Sequence, residues 1–370
     1  MSDARVSRRE FVQDTAAVAA GAALGAASAG DAKAAQTQAP DPTKTRSYHE
    51  NMEYRRLGKT GLKVSAACLG GHWKRVDTMV PALRKNPGWM GGDLNDPAFQ
   101  KNRYDVVTRC IEVGINYVDA CSGAEVMAYS KALEGRRDKM YLGYSWYEYE
   151  MRFSPWRESL AKMMEGLDSG LKQAKLDYVD LWRISLEMDT AKKQTQKEID
   201  ITMEALARAK QQGKARFIGV SSHDRPWLKE AVEKYPRELE VILTPYTAAS
   251  KVLPQDSLFD AVKKCDVGVL GIKPFASNSL FKGDSSLASP EAEEDDKRAR
   301  LAIRYILSNP ALTAPMPGLI NAHQVDNVAK AVQERRQLDK DEKAHLDKAM
   351  DEAWAKLPDD YQWLKDWEYV

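Results

Sequence analysis

Residues 178–185 read YVDLWRIS, and residues 216–222 read RFIGVSS. Both runs are short, and they are rich in the β-branched and aromatic residues that favour buried strands. Between them, Met203, Leu206 and Ala209 recur at helical spacing. This order predicts two parallel strands joined by a crossover helix.

The same alternation extends in both directions along the chain. The predicted strands are Lys63–Leu69, Ile115–Ala120, Met140–Ser145, Tyr178–Ser185, Arg216–Ser222, Leu239–Pro245, Val267–Phe275 and Leu312–Pro317. Eight alternations predict an α/β fold of the (β/α)8 TIM-barrel type, whose chemistry sits at the carboxyl ends of the strands. A doubly wound sheet is the alternative, but Leu69-Gly70-Gly71-His72 lacks the third glycine of a dinucleotide-binding turn.

Composition excludes several classes of protein. The 370 residues carry a formal net charge of +1, which disfavours a nucleic-acid partner and a polybasic membrane-surface protein. The four cysteines Cys68, Cys110, Cys121 and Cys265 form no CxxC pair, so a zinc ribbon and a disulfide scaffold are not expected. No metal-ligand spacing is visible, and no metal is predicted.

The first fifty residues are expected to lie outside the barrel. Arg8 and Arg9 precede an uncharged Ala/Gly stretch, Thr15 to Gly30, and small-residue cleavage options follow. This order resembles a twin-arginine signal peptide, predicted over residues 1–35, and it implies export to the periplasm or beyond. The alternative is a disordered Ala-rich tail with a chance arginine pair.

Three further segments are predicted after the signal peptide. Residues 36–51 are predicted to be a linker, residues 52–338 the barrel, and residues 339–370 a C-terminal helix and Trp-rich tail. The tail contains Trp354, Trp363 and Trp367, which we expect to dock on the barrel or on a second subunit because exposed tryptophan is unfavourable. The sequence predicts no membrane span after signal removal, and it does not indicate an oligomeric state.

Several segments together resemble the aldo-keto reductase superfamily, over about residues 52 to 335. They are Tyr54–Ser65 (an N-terminal hairpin), Gly114–Ala120, Leu176–Leu181, Gly213–Ser221, Gly268–Phe275, and Met316-Pro317-Gly318 followed by Gln324 and Asn327. The resemblance implies a barrel that reduces the carbonyl group of a small molecule with NADPH. It also implies an Asp, Tyr, Lys and His tetrad, in which the tyrosine donates a proton to the developing alkoxide.

This sequence matches one member of that tetrad. Asp119 matches the aspartate, whereas Cys121–Glu125 occupies a shortened loop where the tyrosine is expected. Ser145 stands where the resemblance places the lysine, and Ser185 where it places the histidine. Because serine is a poor proton donor without an activating base, the sequence predicts altered or reduced carbonyl-reductase chemistry.

Other side chains could occupy the vacated space. Arg183 lies two residues before Ser185 and shares its strand face, so it could pair with Asp119; otherwise Asp119 would accept backbone N–H groups. Four tyrosines near strand ends or the shortened loop could act as donors or pack in the core: Tyr129, Tyr144, Tyr147 and Tyr246.

Two histidines follow predicted strands. His72 and His223, with Asp119, could relay a proton or bind a metal, or they could bond the backbone of their loops. Cys121 could be a thiol at the site or an ordinary buried cysteine. These options leave open a lyase or epimerase, and a non-catalytic barrel that binds a small ligand.

The cofactor-binding positions are better preserved. The resemblance assigns NADP contacts to Ser221, Ser222, Lys273, Pro274, Gly318, Gln324 and Asn327. Ser222 replaces an asparagine of the pattern, and Ile272 replaces the aromatic residue that stacks on nicotinamide. We therefore expect NADP to bind, tightly if the chain is exported away from the free cofactor pool; the alternative is that these residues are remnants.

Overall fold

The computed structural model describes residues 42–81, 83, 94–188, 193–250 and 255–365. The predicted signal peptide (residues 1–35), the start of the predicted linker and Trp367 lie outside the described residues. In the described part of the chain, seven parallel strands follow one another in sequence order around a curled sheet. They are β3 (Tyr117–Ala120), β4 (Tyr141–Tyr144), β5 (Val179–Ser185), β6 (Ala215–Ser221), β7 (Val241–Pro245), β8 (Gly268–Ile272) and β9 (Ala314–Pro315).

A short extended segment closes the sheet into a barrel. The N–H groups of Cys68 and Gly70 donate to the carbonyls of Pro315 and Pro317, and that of Leu69 donates to Tyr117 O. This segment therefore bonds to both ends of the sheet and takes the place of the eighth strand, which gives the predicted (β/α)8 architecture.

The first predicted strand, Lys63–Leu69, is wrong as a single element. Its first half, β2 (Lys63–Ser65), pairs antiparallel with β1 (Tyr54–Arg56) in the N-terminal hairpin. The Ala66 N–H then donates to Glu53 O, and the segment that closes the barrel begins only at Cys68. A continuous apolar run thus covers two elements with different partners.

The helices alternate with the strands as the periodicity predicts. They are α1 (Pro97–Glu112), α2 (Gly123–Ala132), α3 (Leu160–Gln173), α4 (Gln196–Gln211), α5 (Arg225–Lys234), α6 (Leu258–Lys264), α7 (Ala292–Leu307), α8 (Ala322–Gln333) and α9 (Lys340–Ala355). Side-chain caps begin most of them, such as Ser122 on α2 and the Thr195–Glu198 capping box on α4. These caps sit at the ends of the strand-to-helix loops, which places those loops at the mouth of the barrel.

The interior of the barrel is apolar at its base and charged at its mouth. The hairpin residues Leu57, Leu62 and Val64 close the base, beneath buried side chains that include Tyr117 and Leu181. Further along the same strands, Asp119 and Arg183 point inward at the mouth. The chain thus excludes water from the base and concentrates charge where strand ends meet.

The segments that flank the barrel pack against it. Within the predicted linker, Arg46 bonds the buried Asp180 at 3.0 Å, so the described part of this segment is docked at the base. After α9, a 3₁₀ turn over Asp359–Lys365 buries Tyr361 and Leu364 against the rest of the chain. Among the described residues, no helix has the length and apolar character needed to cross a membrane.

Candidate active site

A buried ion pair lies at the centre of the mouth. Arg183 on β5 donates from Nη2 to Asp119 Oδ1 and from Nε to Asp119 Oδ2 at 3.3 Å. The two side chains are only 4% and 5% exposed. Burial raises the pKa of the Asp119 carboxyl, and the Arg183 guanidinium opposes that shift. The structure confirms the predicted pair, so an arginine and not a lysine is the ion-pair partner of Asp119.

Gly143 makes room for this pair. It lies on β4, between the strands that carry Asp119 and Arg183. A Cβ atom at position 143 would lie 1.9 Å from Tyr117 Oη and 2.9 Å from Asp119 Oδ2. A larger residue there would displace the carboxylate, so Gly143 is a structural requirement of the ion pair.

A second polar cluster flanks the ion pair. His72 Nδ1 lies 2.7 Å from Glu125 Oε1, and Cys121 Sγ lies 3.5 Å from His72 Nε2. Although burial opposes it, the charges of Cys121 and Glu125 raise the pKa of His72 to about 10. Burial likewise opposes the shift of Glu125, but His72 and two backbone N–H groups lower its pKa to about 2. His72 therefore faces Cys121 and Glu125.

Glu125 reaches this cluster from α2 because of Gly71. Its carboxylate accepts the backbone N–H of His72 and, at 2.8 Å, that of Cys121. A Cβ atom at Gly71 would lie 2.3 Å from Glu125 Oε2. The carboxylate thus fills space that only glycine leaves open, and it joins the ends of two neighbouring strands.

Two lysines line the same cavity, which has a volume of about 290 Å³. Burial lowers the pKa of Lys273 to about 8, and it also lowers the pKa of Lys74. The ammonium group of Lys74 lies 4.2 Å from the ring centre of Tyr361, and that of Lys273 lies 5.7 Å from the same ring. Both cations therefore contact the tail across the mouth.

The tail also covers His223. The Trp363 ring stacks on His223 with 4.0 Å between ring centres. Burial lowers the pKa of His223 well below its usual range, so the ring is neutral at pH 7. Its Nδ1 lies 3.1 Å from Met188 O, and its buried Nε2 has no hydrogen-bond partner. The predicted docking of the tail places Trp363 on a histidine that was predicted as a candidate site residue.

The two serines at tetrad positions have different surroundings. Ser185 lines the cavity. Ser145 does not, because its Oγ donates to Glu150 Oε2 at 2.6 Å on the outside of the barrel wall. Glu150 also accepts Trp182 Nε1 at 2.9 Å, and burial raises its pKa to about 7. The prediction of Ser145 as a site residue is therefore corrected: it belongs to a buried cluster behind the cavity.

The residues predicted to contact the nicotinamide half of the cofactor also include some that line the cavity and one that does not. Ser221, Lys273 and Pro274 line the first cavity. Ser222 does not, because its Oγ donates to Glu187 O at 3.1 Å and accepts from Asp224 N at 3.0 Å. It fixes the turn that precedes α5, which corrects its assignment as a cofactor contact.

The adenosine-side predictions meet at a second cavity, of about 470 Å³. Gln324 and Asn327 line it, and each side chain also has an internal partner. Gln324 Oε1 accepts Ile320 N at 3.0 Å, and Asn327 Oδ1 accepts Arg300 Nη1 at 2.7 Å. Gly318 lines both cavities, and a Cβ atom there would lie 2.4 Å from Gly71 O. Because Gly318 has no side chain, its backbone can pack closely against the backbone of Gly71.

The four candidate tyrosines differ in whether they line the cavity or pack in the core. Tyr147 lines the cavity. Tyr129 donates to Gly70 O at 2.6 Å, Tyr246 accepts from Asn309 Nδ2 at 3.0 Å, and Tyr144 is fully buried in the core. Three of the four therefore support packing, and Tyr147 belongs to the wall of the cavity.

The comparisons with known proteins agree with this architecture. A model of the aldo/keto reductase family matches residues 88–351. The chain belongs to the aldo/keto reductase family. Within that family, it is 24% identical over 311 residues to L-galactose dehydrogenase of Arabidopsis thaliana, covering 79% of this chain and 91% of the relative. It is 24% identical over 365 residues to the uncharacterized oxidoreductase YrpG of Bacillus subtilis, covering 84% of this chain and all of the relative. The chain is thus an aldo-keto reductase-like oxidoreductase by family.

Solved structures share the fold. An aldo-keto reductase from Bacillus halodurans in its holo form superposes with a TM-score of 0.56 at 24% identity, covering 80% of this chain and 96% of that one. An aldo-keto reductase from Klebsiella pneumoniae in complex with NADPH superposes with a TM-score of 0.57 at 18% identity, covering 80% and 94%. At these identities the likeness concerns the barrel itself.

Proposed function

We propose that this family member is an exported, NADP-binding oxidoreductase whose carbonyl chemistry differs from that of its relatives at the proton-donating step. The observation that carries the proposal is the Asp119–Arg183 pair. A guanidinium stays protonated at any physiological pH, so this pair stabilises charge but does not pass on a proton.

The residues present fit a dinucleotide. The two cavities share Lys74, Phe275, Asn278 and Gly318 in their walls, so they form one elongated cleft. Lys74 and Lys273 supply the positive charge that a pyrophosphate needs. Ser221 lies at one end of the cleft, and Gln324 and Asn327 lie at the other, in the order that the family resemblance implies.

When bound, the dinucleotide would supply or accept a hydride. The chain's own contribution is then to bind, orient and exclude water. Ser221 would hold the carboxamide end, the two lysines the phosphates, and Tyr361 and Trp363 would exclude water from above. Arg183 would stabilise negative charge that develops near Asp119.

Cofactor titration and aldehyde turnover test this proposal. We expect NADP and NADPH to bind the purified full chain and to change tryptophan fluorescence, because Trp363 lies at the cleft. NAD should be titrated in parallel, since the exposed carboxylate of Glu293 lines the adenosine end and would repel a 2′-phosphate. Binding of NAD alone would contradict the choice of NADP, and absence of binding by NADP, NADPH and NAD would remove the proposal and leave a barrel that binds another small ligand.

The turnover arm addresses the altered chemistry. We expect ordinary aldehydes to be reduced slowly with NADPH, because the charged partner of Asp119 is Arg183, whose guanidinium does not pass on a proton. Rapid reduction that Asp119→Asn abolishes would contradict this expectation and would indicate intact proton transfer.

Export is proposed from Arg8 and Arg9 and from the small-residue stretch that follows them. An Arg8→Lys/Arg9→Lys variant should remain in the cytoplasmic fraction of a bacterial host, whereas the unchanged chain should reach the periplasm. Export of both forms, also in a host without the twin-arginine translocase, would contradict this part of the proposal.

A further inference from the structure

We propose that Cys121 is a nucleophilic thiol at the mouth of the barrel, paired with His72 and positioned through Glu125, and that it captures the carbonyl carbon of an aldehyde as a thiohemiacetal. The thiol's reactivity is independent of the proposed oxidoreductase function. The choice of an aldehyde as the electrophile rests on that function.

The geometry is that of a nucleophile, an imidazolium that can donate a proton, and a carboxylate that orients the imidazolium. Cys121 Sγ lies 3.5 Å from Nε2 and 3.6 Å from Nδ1 of His72. His72 Nδ1 lies 2.7 Å from Glu125 Oε1, and the same carboxylate accepts the His72 backbone N–H. Glu125 therefore holds His72 through both its backbone N–H and its Nδ1, beside a sulfur within hydrogen-bond reach.

Positively charged side chains surround the sulfur of Cys121. Three cationic groups act on its sulfur, namely His72, Arg183 and Lys273. Two of the carboxylates that line this cavity are engaged by cations, Asp119 by Arg183 and Glu125 by His72. An electropositive, solvent-accessible setting of this kind is typical of reactive cysteines. The phenols of Tyr147 and Tyr361 are two further titratable groups that interact with Cys121.

The same charges argue against a metal ion. The ligand atoms of His72, Cys121 and Glu125 lie within 4.8 Å of one another, which is close enough to hold an ion. However, Glu125 already accepts hydrogen bonds from His72 and Cys121 at both oxygens. A divalent cation would also meet the ammonium of Lys273 and the guanidinium of Arg183 in the same cavity.

The addition step is balanced without a co-reactant. The Cys121 thiolate attacks the carbonyl carbon, and a carbon–sulfur bond forms as the π bond of the carbonyl breaks. The freed electron pair goes to the oxygen, which takes the proton of the His72 imidazolium. The product is a neutral thiohemiacetal beside a neutral imidazole, and no oxidation state changes. Lys273 and Arg183 stabilise the oxygen while it is negative.

The chain contains a matched internal control for reactivity. Cys265 is also a free, half-buried cysteine, but it lies in the turn after α6 and outside both cavities of the cleft. Limiting iodoacetamide is added to the full chain at pH 7, without dinucleotide, and the two cysteines are followed by peptide mass spectrometry. We expect Cys121 to be alkylated at least about tenfold faster than Cys265. Equal rates would overturn the proposal.

Variants separate the roles of the neighbours. His72→Asn keeps a residue that tolerates the backbone φ of +55° and removes the imidazole, so the Cys121 rate should fall to near that of Cys265. Glu125→Gln should lower the rate and move its pH profile to higher pH, which a purely structural role would not do. His345→Asn breaks a comparable imidazole–carboxylate contact, 3.0 Å to Glu294, outside the cleft, and should change neither. An unchanged Cys121 rate in His72→Asn would overturn the assignment of His72.

Propanal tests the electrophile. Preincubation with propanal should protect Cys121 from iodoacetamide, protection should be lost on dilution, and propan-1-ol should not protect. In Cys121→Ser, the carbon-13 signal of labelled propanal should stay in the aldehyde region, whereas the unchanged chain should show a thiohemiacetal signal. Fast alkylation without protection would overturn the carbonyl assignment. Stoichiometric protection by micromolar Zn²⁺ alone would indicate a metal site and overturn the proposal. Dinucleotide titration of the same sample reports separately on the proposed oxidoreductase function.

Discussion

Arg183 on β5 donates to both carboxylate oxygens of Asp119 on β3, across the strand that carries Gly143. A buried pair of this kind is strongly destabilised when one partner is removed, because the other charge is left uncompensated. The pair therefore has consequences for folding that can be measured apart from any activity.

A double-mutant cycle tests the coupling of the pair. Asp119→Asn and Arg183→Met should each lower the free energy of unfolding by about 3–5 kcal/mol. The double variant should lose less than the sum of the two, because it leaves no unpaired charge. Urea denaturation monitored by circular dichroism measures all four proteins. Additive losses would show that the two side chains do not stabilise each other.

The lysines of the cleft should determine dinucleotide binding. Lys74→Met and Lys273→Met each remove a positive charge and are expected to weaken NADP binding by about tenfold or more, since an ion-paired hydrogen bond contributes about 1.5–3 kcal/mol. Lys263→Met removes an exposed charge on α6 and serves as the control. Fluorescence titration gives the three dissociation constants. Equal affinities in all three variants would place the phosphates elsewhere.

Glu150 should make the stability depend on pH. Burial raises its pKa from 4.5 to about 7, so between these values the folded protein keeps a proton that the unfolded chain has lost. Stability from this group is therefore present below pH 4.5 and falls as the pH rises to 7, by about 3 kcal/mol in total.

Glu150→Gln removes the titration and keeps an oxygen that can accept from Trp182 Nε1. Urea denaturation at pH 4.5, 6 and 8 should show a smaller decrease in stability than in the unchanged protein. Glu165→Gln, at an exposed position of α3, should leave the decrease as it is. The assignment to Glu150 fails if both variants retain the full decrease.

The stacking of Trp363 on His223 should be visible in proton NMR. The chain has five histidines, so their ring protons can be resolved and followed from pH 4 to 8. In Trp363→Ala the His223 ring is exposed, and its pKa should rise toward the ordinary value of about 6.5. The His345 resonance in the same spectra is the control. An unaltered His223 titration in the variant would mean that other groups bury this ring.

Much of the fold and part of the site could be predicted from the sequence. Strand parity placed Arg183 on the same face as Ser185 and made its pairing with Asp119 one of two options, because alternate residues of a strand share a face. Parity did not show that Ser185 lines the cavity whereas Ser145 does not. Ser145 donates to the buried Glu150, and Glu150 lies in a loop without regular periodicity. Ser222 was misassigned for a similar reason, because its hydroxyl bonds within a turn.

The Cys121–His72–Glu125 cluster was not visible as a unit. His72 and Cys121 could be noticed as polar residues at strand ends. Glu125, however, lies in the first turn of α2, where an acidic residue is common because it interacts favourably with the helix dipole. Its contact with His72 depends on the missing side chain of Gly71, which is a three-dimensional relationship. Gly70-Gly71 in the sequence was the available signal, and it indicates close backbone approach rather than a particular partner.

The contacts of Tyr361 with Lys74 and Lys273 link the end of the described chain to whatever occupies the cleft. An anion that draws either ammonium group toward itself competes with the aromatic ring for the same charge. Ligand binding in the cleft and the docking of residues 359–365 over it are then thermodynamically coupled, and the coupling is reciprocal. Residues 359–365 would thus report on ligand binding without touching the reacting atoms, and changes in this segment would alter how fast a ligand escapes.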